Sequence, residues 1–163
     1  MLPDYEIVLG QGIGNILFGI PKTELIDLLG APDEVEVPED PEKYDWESLW
    51  YKTIKCSFLF DPIFKDRLVE IVVENEYFHI GKKIRVGMEK TDLLRVGAEL
   101  KLGIYHIDEK ESEELLSQEF IAYDSVGLLV YIEFGKIAGI RIGPLRDESG
   151  LIIWPELETL PNS

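Results

Sequence analysis

The sequence predicts an α+β fold: two tandem helix–β-hairpin repeats forming an antiparallel sheet, with short helices packed on one face. Three observations carry that expectation. A short segment recurs at an offset of 68 residues, apolar residues at helical spacing follow it each time, and apolar runs of period two come next. At 163 residues the chain suits one domain, and a chain of that size hides roughly 70% of its unfolded surface without help from disulfides or metal. The expected organisation is a single domain, 1–163, built of two repeats at about 5–80 and 81–145, followed by a C-terminal tail, 146–163.

Residues 5–9 and 16–18 are short, apolar and bounded by glycine, which suits strands. Gly19-Ile20-Pro21-Lys22-Thr23-Glu24-Leu25-Ile26 aligns with Gly87-Met88-Glu89-Lys90-Thr91-Asp92-Leu93-Leu94, four of the eight positions being identical. Pro21 fits a first helical turn, where a missing N–H is no loss. Leu25, Ile26, Leu28 and Leu29 form an apolar stripe; both copies then reach a glycine, Gly30 and Gly97, and Gly30 is placed to end the helix. A helix of about nine residues is not stable alone, so it must lie on a sheet. The hairpin strands are residues 49–60 and 67–74 in the first copy and 127–134 and 136–142 in the second. Cys56, Phe58 and Phe60 alternate with Ser57 and Leu59, and Leu128, Val130 and Ile132 with Leu129 and Tyr131. Gly135-Lys136 reads as a tight turn. Residues 151–155 read as an edge strand or a strap over the core.

Charge is unevenly placed. The chain carries 32 acidic and 16 basic side chains, a net −16. Residues 33–47 contribute −7 of this and residues 108–119 contribute −5. A pI near 4.4 disfavours nucleic acid and anionic membranes, since both are held by neutralising phosphate charge, and favours a basic protein partner. In a two-fold-like arrangement the two acidic runs would border one surface. The partner-binding residues expected from them are Glu39, Asp40, Glu42, Tyr44, Asp45, Trp46 and Glu47 in the first run, and Asp108, Glu109, Glu111, Glu113 and Glu114 in the second. Aromatics among charges are common interface anchors; Trp50 and Tyr51 are better read as structural than Trp46.

Catalytic constellations are few. Gly10-Gln11-Gly12-Ile13-Gly14 lacks the next glycine of a dinucleotide fingerprint and is followed by strand-like residues, so it reads as a turn. Lys22-Thr23 lacks the glycines of a phosphate loop and recurs as Lys90-Thr91. His79 and His106 lie 27 residues apart with no ligand spacing. Cys56 alternates with apolar residues, which suits inert packing. The reading is therefore of a non-enzyme without cofactor or metal. The absence of a basic, apolar leader and the single cysteine point to a reducing cytoplasm.

Gly12-Ile13-Gly14-Asn15-Ile16-Leu17-Phe18-Gly19-Ile20, continuing through Leu25 to Leu28-Leu29-Gly30-Ala31-Pro32-Asp33, resembles the opening of the β-lactamase-inhibitor-protein and SmpA/OmlA-like superfamily. The resemblance covers about 30 residues of the first copy and about 12 of the second, and it implies two copies pairing into a long curved sheet whose face grips a partner. Those families are exported, often with disulfides or a lipid anchor, and this chain shows neither; the second copy also lacks a proline after Gly97. Inhibition of β-lactamase, membrane assembly and the families' binding residues therefore do not carry over. The chain also resembles a bacterial immunity protein, acidic because many toxins are basic nucleases. The expected function is non-catalytic inhibition of a basic toxin by occlusion. The alternatives are a self-associating scaffold, or a small-ligand carrier or enzyme.

Overall fold

The computed structural model describes residues 5–108 and 118–155. In chain order the elements are β1 (Glu6–Val8), β2 (Gly12–Ile13), β3 (Ile16–Leu17), α1 (Lys22–Leu29), β4 (Glu34–Glu36), β5 (Glu47–Tyr51), β6 (Cys56–Asp61), β7 (Arg67–Val73), β8 (His79–Ile80), α2 (Lys90–Glu99), β9 (His106–Asp108), β10 (Gln118–Tyr123), β11 (Leu128–Glu133), β12 (Lys136–Ile142), β13 (Leu145–Arg146) and β14 (Ile152–Ile153).

Eight strands form one antiparallel sheet in the order β4-β5-β6-β7-β12-β11-β10-β9. The order runs inward from one edge, crosses the β7–β12 seam and runs outward to the other. This overturns the expected α+β arrangement of helix–β-hairpin repeats with short helices packed on one face. The molecule is mostly β, and among the described residues its α-helices span only 8 and 10 residues. The physical reason lies in the connections. The run 49–60 is cut by a turn at 52–55, where Lys55 takes a left-handed φ of 49°, so it makes two strands. The first acidic stretch holds the edge strand β4, and the edge strand β9, which ends at Asp108, and β10 flank the second. Four strands stand on each side of the seam where a hairpin was expected.

One face of the sheet is buried. Leu49, Tyr51, Phe58, Phe60, Leu68, Ile71, Val73, Ile121, Tyr123, Leu128, Val130, Ile132, Ile140 and Ile142 line it. A second sheet, in the order β3-β2-β1-β8 with β1 and β8 parallel, joins the same contiguous core through Ile7, Ile13, Ile16 and Ile80. The helices add less: Leu25 is the buried side chain of α1, and Leu93 and Val96 those of α2. Gly30 ends α1 at a left-handed φ of 84°, as expected, but Gly97 lies inside α2. A Cβ at Gly97 would stand 2.7 Å from the Tyr123 hydroxyl, so this glycine permits close approach between α2 and β10.

Bonds recur on the two sides of the seam. Gly19 N–H donates to Leu68 O and Leu68 N–H to Ile20 O, both at 2.9 Å; Gly87 N–H donates to Ile137 O and Ile137 N–H to Met88 O, both at 2.8 Å. Lys22, at the start of α1, pairs with Glu47 of β5. Lys90, at the start of α2, pairs with both carboxylate oxygens of Glu119 of β10, at 2.8 and 3.0 Å. Register shifts leave Val69 in β7 and Ala138 in β12 without a partner in the ladder, each a β-bulge that bends its strand. The C-terminal segment resolves as both things expected of it. β14 pairs with β13, and Trp154 lies against the Arg67 guanidinium, 5.1 Å from ring centre to charge.

Candidate functional site

The first acidic run folds into the β4–β5 hairpin. Asp33 starts it: its N–H donates to Trp50 O at 2.9 Å, and its carboxylate accepts from Lys52 N–H at 2.7 Å. Val35 then faces Leu49 and Glu36 faces Ser48. The loop turns at Asp40-Pro41-Glu42-Lys43, with the Lys43 and Tyr44 N–H groups donating to Asp40 O at 3.1 and 3.0 Å. Pro41 presets φ at the second position of such a turn. Glu39, Asp40, Glu42, Tyr44 and Asp45 are exposed, Trp46 is half-buried and Pro38 is buried. Pro38, Glu39, Asp40, Tyr44 and Trp46 surround a hollow of ≈ 370 Å³. The Lys43 ammonium stands 5.3 Å from the Tyr44 ring centre. Glu47 is half-buried and engaged with Lys22, so its charge is partly matched within the fold.

The second run lies elsewhere. Asp108 is the last residue of β9, and Glu109, Glu111, Glu113 and Glu114 fall outside the described residues. β4 and β9 are the opposite edges of the sheet; seven strand spacings of ~4.8 Å separate them by roughly 30 Å along it. The two acidic stretches are therefore not brought onto one surface at β4 and β9.

Between those edges lies the open face of the sheet, the kind of face that the sequence reading expects to grip a partner but to which it assigns no residues of its own. Glu34, Trp50, Ser57, Val72, Arg141, Leu129, Ala122 and His106 are successive cross-strand partners and so share this face. Glu34, Glu36, Ser48, Trp50 and Ser57 line a hollow of ≈ 620 Å³ on it, adjoining the acidic hairpin. Trp50 is half-buried there, whereas Tyr51 points into the core and its hydroxyl donates to Gly30 O at 2.8 Å. Nearer the seam Glu70 meets Arg141 at 3.5 Å beside a smaller hollow of ≈ 240 Å³. Burial pushes the Glu70 carboxyl above the usual carboxylate range, with the Arg141 guanidinium pulling it back. The period-two pattern was the signal available for this face, since it sets Ser57 and Leu59 opposite Phe58 and Phe60.

The other candidate chemistries resolve simply. Cys56 is buried in the core, and burial, followed by the Glu74 charge, pushes its thiol far up. His79 accepts at Nδ1 from Lys82 N–H at 3.2 Å. His106 approaches the Asp124 carboxylate at 3.4 Å. Among the described residues no group of three or more His, Cys, Asp or Glu is placed to hold a metal ion. Gly12 sits in β2, where a Cβ would fall 2.0 Å from Ile16 O; its glycine serves the tight β2–β3 turn. No helix among the described residues is long and apolar enough to cross a membrane.

Compared with family models and with curated proteins, the chain matches none. Among solved structures it is similar to an extracellular protein containing a SCP domain from Bacillus anthracis str. Ames, with 13% identity and a TM-score of 0.48. That match covers 77% of this chain and 43% of the other, so the chain spans under half the length of the protein it matches.

Proposed function

We propose that the chain is a non-catalytic binding protein that grips a basic protein through the β4–β5 hairpin and the adjoining open face of the sheet. The reading is carried by one observation: Glu39 and Asp40 line a hollow with Tyr44 and Trp46, and Glu42 and Asp45 are exposed in the same loop. An aromatic anchor that loses its water on binding, inside a polar rim, is the arrangement that concentrates binding energy at protein interfaces. The net charge of −16 steers a basic partner toward it. In this reading the chain is an immunity protein in a bacterial cytoplasm, and it neutralises a basic toxin such as a nuclease by covering its active surface. The bonds that recur across the β7–β12 seam support a duplicated origin for the scaffold, in line with the resemblance noted from the sequence.

The experiment is a binding titration with the basic protein encoded beside this chain, run at increasing salt. Tight association whose on-rate falls steeply with ionic strength is expected, together with a loss of at least tenfold on combining E39K, D40K, E42K and D45K. Salt-independent binding, or binding untouched by the four reversals, overturns it. A second reading, self-association, is favoured by Ile104, Tyr105 and Ile107, which are exposed at and beside the β9 edge, Ile104 by 91%; a mass in solution of twice the chain, at micromolar concentration, would support it.

A further inference from the structure

We propose that the hollow between Pro38, Tyr44 and Trp46 takes one cationic side chain of the partner, an arginine in preference to a lysine. This rests on the reading above and names the chemistry of its anchor.

The hollow has the three parts that such a guest requires. Its walls are apolar or aromatic: Pro38 is buried, Trp46 is half-buried and Tyr44 is 49% exposed. Aromatic faces attract cations through their quadrupole, and a planar guanidinium also stacks on them. Glu39 and Asp40 line the same hollow, so opposite charge lies at its rim. Its volume of ≈ 370 Å³ has room for one long side chain. A second observation points the same way. The chain's own Lys43 already stands over the Tyr44 ring at 5.3 Å, so the ring takes a cation in this loop. Neither Glu39 nor Asp40 appears in an ion pair among the described residues, which leaves both charges to meet an incoming cation. Among the described residues the turn at Asp40 is held by backbone bonds, from the Lys43 and Tyr44 N–H groups to Asp40 O.

The test is an NMR titration of the full chain with N-acetyl-arginine methylamide, the lysine equivalent and the neutral citrulline equivalent, following the indole signals of Trp46 and Trp50. The arginine compound should move the Trp46 signal with saturation, the lysine compound should bind more weakly, and citrulline should leave it in place. Y44A should weaken arginine binding by about fivefold, Y44F should restore it, and E39Q with D40N should lower it several-fold. Equal responses to arginine and citrulline, or shifts spread over all exposed carboxylates with Trp46 unmoved, overturn the proposal. If arginine fills the hollow and no basic protein binds the chain, the broader reading fails and this one stands. If a basic protein binds and Y44A leaves its affinity unchanged, this one fails alone.

Discussion

Two tyrosines at matching places, the last residues of β5 and β10, are treated differently by their surroundings. The Tyr51 hydroxyl donates to Gly30 O and so helps close the end of α1. The Tyr123 hydroxyl is buried with no hydrogen-bond partner among the described residues. A buried polar atom without a partner costs about 1–3 kcal/mol, and a satisfied bond contributes about 1 kcal/mol. Tyr51→Phe should therefore lower stability by about 1 kcal/mol, and Tyr123→Phe should raise it by a similar amount, read from urea midpoints at constant slope. Burial raises both phenol pKa values above the ordinary 10.0, with Asp33 adding to the effect at Tyr51 and Tyr105 at Tyr123. The folded state then holds the proton more firmly than the unfolded state. The associated stability is complete below pH 10 and is lost as pH climbs through the raised values. Each Phe variant should flatten part of that alkaline loss.

At the scale of elements, the contact between α2 and β10 rests on Gly97 and Tyr123. Gly97→Ala places a methyl group 2.7 Å from the phenol oxygen, closer than carbon and oxygen pack, and should cost about 1–3 kcal/mol. In a Tyr123→Phe background that cost should fall by at least half, a coupling that a double-mutant cycle measures directly. Additive effects would show that the helix shifts freely against the strand. The same elements show what the sequence disclosed. The recurring Gly-x-x-Lys-Thr segments mark both helices, because Lys22 and Lys90 open them. The alternation around Phe58 and Val130 marks β6 and β11. What stayed hidden was set by pairing over distance. β4 reads Glu-Val-Glu with all three residues exposed, and it is a strand because β5 offers it a ladder. The bulges at Val69 and Ala138 break the period of two in the middle of β7 and β12. The tight turn also shifted by one residue: Phe134 and Gly135 both take positive φ, 52° and 77°, the pattern of a two-residue turn matched to strand twist. Of the candidate site, the hairpin's acids and aromatics were legible by composition, but their separation from Asp108 depends on the order of strands.

For the whole molecule, the acidic β4 edge also matters in the absence of a partner. An exposed strand edge is a template for pairing with another chain, and charge along it prevents this. Replacing Glu34 and Glu36 together with Thr should leave folding intact and promote concentration-dependent association, seen as a rise in mass by light scattering; a strict monomer up to millimolar concentration would refute it. The seam has a different consequence, which concerns time. Each half is a meander whose neighbours lie close along the chain, whereas Val73 must find Ile140, Val72 Arg141 and Ile71 Ile142. Closing a loop of that length is an entropic hurdle that local strand pairing does not face. Joining β7 to β12 should therefore be slower than pairing within either meander, and substitutions at Val72 and Arg141 should change the refolding rate in stopped-flow measurements more than substitutions in either meander.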